Sequence, residues 1–429
     1  MDGVRKSAQR AKNASFKLAQ LSLELRNEAL LRISEGLRNK SSIIISENEK
    51  DMEEAKDSGL PAPLLKRLRY DEGKIKESIN QMSSLIAQED PLGKILSRME
   101  LDNGLILEKV SCPIGVIGVV FESRPDALIQ ISSLCLKSGN AVLLKGGAEA
   151  KRTNEALFRV IMDALSSLDD RFDGAIQLLS TREEFRELLA QDDFIDLIIP
   201  RGSNELVRAI QASTRIPVLG HAAGICHTYV HEDADLEMAV RVCYDAKVQY
   251  PAVCNAMETL LVHRSIAQSF LPMMAKELRR AGVEIRGDEA TRALIEAVPA
   301  KEEDWSMEYN DLILSIKVVG SIEEAVEHIN RYGSHHTDAI ITRNRETAES
   351  FMNAVDSSSV MWNCSTRFAD GYRYGLGAEV GISTNKTHAR GPVGLDGLTI
   401  YKWKLYGDGH IVADYSGESA RRFTHRKLL

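Results

Sequence analysis

The chain has 429 residues, 44% hydrophobic and 27% charged, which supports large buried cores, rules out wholesale disorder and divides by a typical domain size into about two or three domains. With 54 Lys and Arg against 62 Asp and Glu the net charge is −8, without the basic excess of a protein that coats nucleic acid, although a local basic pocket for a small anion stays open. No apolar run approaches the ~18–20 residues that cross a bilayer, and the six cysteines (112, 135, 226, 243, 254, 364) contain no CxxC pair, so reduced thiols in a soluble, cytoplasmic protein are expected rather than a disulfide framework or zinc ribbon.

The basic start carries Arg5, Lys6, Arg10, Lys12 and Lys17, the charge of a transit peptide. Yet Val4, Ala8, Ala11 and Leu18 share one helical face and the pattern continues downstream, which favours an amphipathic surface helix. Ser22 is placed to cap a helix with Leu25, Ala29, Ile33 and Leu37 on one side, and Asp71 another with Ile75, Ile79, Met82 and Ile86. Two alternating segments, Leu96–Leu101 and Leu105–Val110, flank Asn103-Gly104, a pair suited to a type I′ turn and hence a β-hairpin. A lone hairpin is marginal in water, so it must lean on something, a second subunit being one candidate.

From Ile114 the period changes. The apolar run Ile114–Phe121 precedes a helical pattern over Asp126–Lys137, and short strands at Ala141–Leu144, Ala175–Leu179 and Leu197–Pro200 alternate with helices at 153–165, 183–190 and 205–212. Short strands without polar alternation, separated by helices, indicate a parallel sheet covered on both faces. The alternation resumes with strands at 228–230, 260–262, 313–319, 339–342 and 360–362, a second α/β domain, before a Gly-rich segment, Gly371–Gly397, and a C-terminal strand region.

Neither G-x-G-x-x-G nor G-x-x-x-x-G-K-[ST] occurs. Two other features suit a phosphate: Lys145-Gly146-Gly147 at a strand end, and Arg201-Gly202-Ser203, where a helix opens after a strand. Cys135 and Cys243 fall inside helical patterns as core residues, whereas Cys254 follows Tyr250-Pro251-Ala252-Val253 and precedes a helix start, where a thiol pKa is lowered and N–H groups await an oxyanion. Arg124, in Glu122-Ser123-Arg124-Pro125-Asp126, sits at a strand-to-helix junction, the edge of an open parallel sheet where ligands bind. His335-His336 and Cys226/His227/His231 invite a metal, but without HExxH or a paired CxxC no metal site is expected.

Taken together, Pro113–Pro125, Ser138–Gly147, Ile198–Ser203, Gly224–His227, Tyr250–Leu261, Asn363–Gly371, Gly375–Thr384 and His388–Gly394 resemble the glutamate-5-semialdehyde dehydrogenase (γ-glutamyl phosphate reductase) family, and YPAVCNAMETLLVH resembles the reductase half of fused Δ1-pyrroline-5-carboxylate synthases more closely still. The resemblance implies an α/β, aldehyde-dehydrogenase-like fold with two doubly wound parallel-sheet domains. It implies an NADPH-binding domain of residues 1–95 and 113–225, a catalytic domain of 226–392, and an oligomerisation hairpin and C-terminal strand region of 96–112 and 393–429.

The activity so implied is NADPH-dependent reduction of L-glutamyl 5-phosphate to L-glutamate 5-semialdehyde, the second step of proline synthesis, through a thioester on Cys254. Asn255, or a side chain of the Glu122–Asp126 junction, would assist the Cys254 N–H at the oxyanion. The resemblance further implies Lys145, Gly146, Gly147, Ser203 and Glu308 at the cofactor, and Glu122, Arg124, Asn363, Ser365, Thr366 and Arg367 at the substrate's carboxylate or phosphate. Aldehyde-oxidising relatives carry a glutamate that activates deacylating water; the matching stretch here, Val218–Ala223, has no acid, which suits a reductase whose thioester must be shielded from water. A homo-oligomer and glutamate 5-kinase are the implied partners. The alternatives are an oxidative or coenzyme-A-acylating relative, and a catalytically idle partner of a glutamate kinase.

Overall fold

Val4, Ala8, Ala11, Ala14 and Leu18 recur every three or four residues and are all buried, because helix α1 (Asp2–Leu18) lays that face on its own unit's sheet. The computed structural model describes residues 2–221 and 223–429. By contacts the chain forms two units, one holding the chain to Leu219 with Leu376–Gly381 and Val393–Leu429, the other Gly220–Gly375 with Ile382–Pro392.

In the first unit, Ser22 accepts from Leu25 N–H at 3.3 Å to start α2 (Leu23–Asn39), and Asp71 accepts from Lys74 N–H at 3.1 Å to start α5 (Glu72–Ile86), both as the sequence expects. Between them lie α3 (Ser41–Asp57) and α4 (Ala62–Leu68). The hairpin strands β1 (Ile95–Asp102) and β2 (Leu105–Pro113) pair antiparallel. Their turn is not type I′, however: Gly104 takes φ +74° and Asn103 no positive φ, and an irregularity between Glu100 and Asp102 absorbs the difference in twist.

Next come β3 (Val116–Phe121), α6 (Pro125–Lys137), β4 (Ala141–Lys145), α7 (Lys151–Ser166), β5 (Ile176–Leu179), α8 (Arg182–Leu188), β6 (Leu197–Arg201) and α9 (Asn204–Ser213). The strands form a parallel sheet in the order β5-β4-β3-β6. Every residue of β3 and β4 is buried, which explains why no polar alternation marks them. No residue of α7 itself caps it. Buried Asp51 of α3 does so, accepting from the N–H groups of Arg152 and Thr153 at 3.2 and 2.8 Å.

The second unit contains β7 (Cys226–Val230), α10 (Leu236–Val248), β8 (Met257–His263), α11 (Arg264–Arg280), β9 (Glu284–Gly287), α12 (Glu289–Leu294), β10 (Val298–Pro299), β11 (Ile313–Val319), α13 (Ile322–Tyr332), β12 (Thr337–Ile341), α14 (Arg345–Ala354) and β13 (Ser359–Trp362). These strands form one seven-stranded parallel sheet, β10-β9-β11-β8-β7-β12-β13. Successive residues point to opposite faces. Thus Val230, Leu260 and Val262 pack under α10 and α11 with Cys243, Phe270 and Met274, while Tyr229, Leu261 and Ile340 pack under α13 and α14 with Ile329 and Phe351. The short β14 (Ile382–Ser383) and β15 (Gly391–Pro392) pair with each other.

In the first unit again, β16 (Thr399–Tyr406) and β17 (Arg426–Lys427) flank the hairpin as an antiparallel sheet, β16-β2-β1-β17. β16 leaves Ile400, Tyr401, Trp403, Leu405 and Tyr406 exposed. Within the stretch 226–392 that the sequence treats as one piece, residues 376–381 pack with the first unit. Among the described residues no helix is long and apolar enough to cross a membrane.

Candidate active site

In the first unit the chain runs from β3 through β4 to β5 on one side, then places β6 on the other side of β3. The carboxyl ends of β3 and β6 therefore border a topological switch point, where open α/β sheets form a ligand crevice. Residues 122–124 follow β3 there, and Gly202-Ser203 follow β6. Ser203 caps α9, its hydroxyl accepting from Leu206 N–H, but its own N–H already donates to Glu122 Oε2 at 2.9 Å. A carboxylate thus satisfies the helix terminus that the sequence offers to a phosphate. This corrects one expectation: Ser203 is not an open phosphate seat, because its N–H is already spent on Glu122.

Ser123, held at φ +46°, is anchored by Glu149 Oε1, which accepts from its N–H at 2.6 Å and its hydroxyl at 2.8 Å. The Arg124 guanidinium, half-buried at the start of α6, makes no hydrogen bond or ion pair among the described residues and remains available to an anion. Lys145 ends β4 almost buried; burial lowers its pKa, with Arg182 at the head of α8 close enough to add to the effect and Glu149, Glu184 and Glu122 opposing it. A side chain at Gly146 would collide with Asn154, and one at Gly147 with Glu149. The residues around this crevice fit a dinucleotide: Lys145 and Arg124 suit its phosphates, and the carboxylates suit ribose hydroxyls.

In the second unit Cys254 is half-buried in the turn between α10 and β8. No helix follows it, so the expected helix N-terminus is absent: Asn255 and Ala256 lead straight into β8, whose buried apolar run takes the chain into the sheet. The Cys254 carbonyl accepts from Cys226 Sγ at 3.2 Å. Neither Cys254 N–H nor Asn255 N–H finds an acceptor among the described residues. His221, His336 and Cys254 converge here, one ring nitrogen of each histidine and the sulfur lying within 4.8 Å of one another. His221 precedes β7, Cys254 precedes β8 and His336 precedes β12, so the cluster occupies the amino edge of three adjacent strands. One thiol and two imidazoles are zinc-type donors, but a zinc site draws its ligands closer, to roughly 3.5 Å apart for bond lengths near 2.0–2.3 Å, and wants a fourth.

The other expected residues separate into two groups. Arg367 is nearly buried and close enough to Cys254 to feel its charge; Nε donates to Gln249 Oε1 at 3.0 Å and Nη1 to Asn255 Oδ1, and burial, with Arg373, lowers its pKa. Asn255 is buried, with Nδ2 donating to Ala369 O at 2.8 Å, so its amide positions Arg367 and the 366–369 turn instead of facing an oxyanion. Thr366 is fully buried and spends its hydroxyl on Asn255 O at 2.8 Å, while the Ser365 hydroxyl accepts from Arg367 N–H. Both hydroxyls shape the turn that brings Arg367 to Asn255. Asn363 is further off still. It follows β13 at the carboxyl edge, one strand (~16 Å, five residues at ~3.3 Å each) from the cluster, and both ends of its amide bond the Thr342 backbone, at 3.1 and 2.9 Å. It is a structural residue with φ +56° and not a substrate ligand.

Glu308 is half-buried in the loop before β11, and its charge bears on Glu258. Glu258 forms a fully buried ion pair with Lys247 at 2.6 Å and accepts from Asn310 N–H at 3.3 Å, tying that loop to β8. Burial raises Glu258 to about 7 and lowers Lys247, each opposed by their mutual attraction. Sequence reasoning missed this pair and both histidines. No ligand spacing marks His221, and His336 adjoins His335 in sequence, although the two point apart: His335 Nδ1 meets Asp356 O at 2.6 Å while His336 is wholly buried. Ala222 lies outside the described residues.

A sequence profile described as the aldehyde dehydrogenase family matches residues 2–301. A protein of Pelotomaculum thermopropionicum named gamma-glutamyl phosphate reductase is 59% identical over 421 residues, covering 98% of this chain and 96% of that one. One of the same name from Acetivibrio thermocellus is 55% identical over 425 residues, covering 99% and 98%. The crystal structure of gamma-glutamyl phosphate reductase from Thermotoga maritima matches with a TM-score of 0.93 at 39% identity, over 96% of this chain and 100% of that chain.

Proposed function

Because this chain belongs to the aldehyde dehydrogenase family, in the branch of the γ-glutamyl phosphate reductases, we propose that it reduces L-glutamyl 5-phosphate to L-glutamate 5-semialdehyde in the second step of proline synthesis, with NADPH as the nicotinamide cofactor. The observation that carries the reading is the half-buried Cys254 whose own N–H, with that of Asn255, lacks an acceptor.

Cys254 sulfur attacks the acyl carbon and the phosphate departs with the electron pair of the broken C–O bond, leaving a thioester on the protein. Phosphate is a good leaving group, so the barrier lies chiefly in the tetrahedral oxyanion, and the two N–H groups at 254 and 255 are its donors. Arg367, held in place by Gln249 and Asn255, binds the substrate's carboxylate or phosphate through its remaining donors. The nicotinamide, when bound, supplies the hydride that takes the acyl group to the aldehyde. Lys145 and Arg124 hold its phosphates, Arg182 lies near enough to Lys145 to join them at a 2′-phosphate, Gly146 and Gly147 shape the backbone beside them, and Glu122 and Glu308 serve ribose hydroxyls.

Subunits associate through the exposed apolar face of β16, in the cytoplasm, and glutamate 5-kinase supplies the labile acyl phosphate. A coupled assay tests the reading: with glutamate, ATP, glutamate 5-kinase and this protein, NADPH is consumed without coenzyme A. No NADPH loss, or a requirement for coenzyme A, overturns it.

A further inference from the structure

The cluster of His221, His336 and Cys254 has chemistry that the reductase reading leaves unused, and we propose that His221 takes the proton of the Cys254 thiol and delivers it to the departing phosphate. This rests on Cys254 being the nucleophile.

Three observations support it. A ring nitrogen of His221 and Cys254 Sγ lie within 4.8 Å, a gap that rotation of the Cys254 side chain narrows toward hydrogen-bond distance. His221 Nδ1 lies 2.7 Å from Ile382 O. A carbonyl only accepts, so Nδ1 carries the hydrogen and the neutral ring keeps its basic lone pair on Nε2. His336, the other imidazole, stacks edge-to-face on His221 with ring centroids 4.9 Å apart. It is fully buried, with Nε2 lacking a partner among the described residues and Nδ1 2.9 Å from Thr337 Oγ1. A proton taken by His336 has no path to a leaving group, whereas His221 is half exposed. His336 is therefore the wall that fixes His221, and His221 the carrier. Cys226 of β7 and Arg367 of the turn after β13 also lie near enough to interact electrostatically with the sulfur.

The step balances. The S–H proton of Cys254 moves to His221 Nε2 as the S–C bond forms; the C–O bond to phosphate breaks and its electron pair leaves with the phosphate; the imidazolium proton then moves to that oxygen, giving hydrogen phosphate and neutral His221. Nothing is oxidised or reduced.

Alkylation of Cys254 by iodoacetamide, followed by mass spectrometry on the full chain without cofactor, reads the first half of this transfer. An ordinary thiol of pKa near 8.5 is about 3% thiolate at about pH 7, so removing its base slows alkylation by up to ~30-fold there and hardly at all once the thiol ionises unaided. His221→Gln is expected to react about tenfold or more slowly near pH 7 and within about threefold of the parent near pH 9.5, with added imidazole restoring the rate of His221→Ala. Equal rates near pH 7, or a loss of the same size at both pH values, would overturn the proposal. Phosphate release from glutamyl 5-phosphate, above the uncatalysed rate, separates the two layers: release by Cys254→Ser at the parent's rate overturns the nucleophile itself, while Cys254-dependent release that His221→Gln leaves undiminished overturns the proton transfer alone.

Discussion

Gly224 is the position where one added carbon acts most directly on the nucleophile. A Cβ built there would lie 2.2 Å from Cys254 O, 2.4 Å from its Cα and 2.5 Å from its Cβ. An ordinary carbon contact is about 3.5 Å, so the Cys254 turn must retreat by roughly 1 Å. It cannot do so cheaply, because Cys226 Sγ holds the Cys254 carbonyl at 3.2 Å and Ser334 Oγ holds Ile225 N–H at 2.8 Å on the same segment. Overpacking of this kind costs about 1–3 kcal/mol of stability, and a 1 Å error at a reacting atom costs about a hundredfold in rate. Gly224→Ala should therefore lower kcat for phosphate release about a hundredfold, with a modest fall in melting temperature. Gly3→Ala, where the new carbon meets nothing within 4 Å in α1, is the control; it should leave kcat alone and stabilise by up to ~1 kcal/mol. Parent-like kcat in Gly224→Ala would refute the claim that the 224 segment sets the position of the sulfur.

Lys247→Met should destabilise the protein by about 3–5 kcal/mol in chemical denaturation, since it strands a buried carboxylate, and adding Glu258→Leu should recover most of the loss. Burial holds His328 down to about 2 from its ordinary 6.5. The unfolded chain takes that proton below about pH 6.5 and the folded chain does not, so stability is full above that pH and falls by at most ~1.4 kcal/mol per unit beneath it. His328→Phe, which keeps the ring between Trp305 and Tyr332, should flatten the acid side of a stability-versus-pH curve. Arg367→Lys should raise KM about tenfold or more, as a fork replaced by a point charge loses ~1.5–3 kcal/mol of charged hydrogen bonding. Asn363→Ala should instead cost about 1–3 kcal/mol of stability with KM unchanged; a KM effect at 363 would return that residue to the substrate.

What the sequence disclosed was local. Ser22 and Asp71 announce helices because a cap acts over three residues, and β3 and β4 show as unbroken apolar runs because both their faces are covered. Asn103-Gly104 marks the hairpin but not its turn type, which the irregular register decides. Cys254 stands out in the sequence as a candidate nucleophile, yet its setting does not show there: the helix start expected after it is a direct entry into β8. The strands β9 and β10 stayed hidden because they are four and two residues long. The histidines meet the sulfur only because β7, β8 and β12 are neighbours in the sheet, a fact of topology that no spacing encodes. Register likewise sends Asn363 to the edge opposite Arg367, although the two are four residues apart in sequence.

Rapid quenching tests the central claim most directly. Mixing the protein with freshly generated glutamyl 5-phosphate, withholding NADPH, and digesting the quenched sample should show a glutamyl thioester on the Cys254 peptide that forms as phosphate appears and reaches close to one group per chain. Phosphate release with Cys254 unmodified, or a glutamyl group on any other residue, would contradict it.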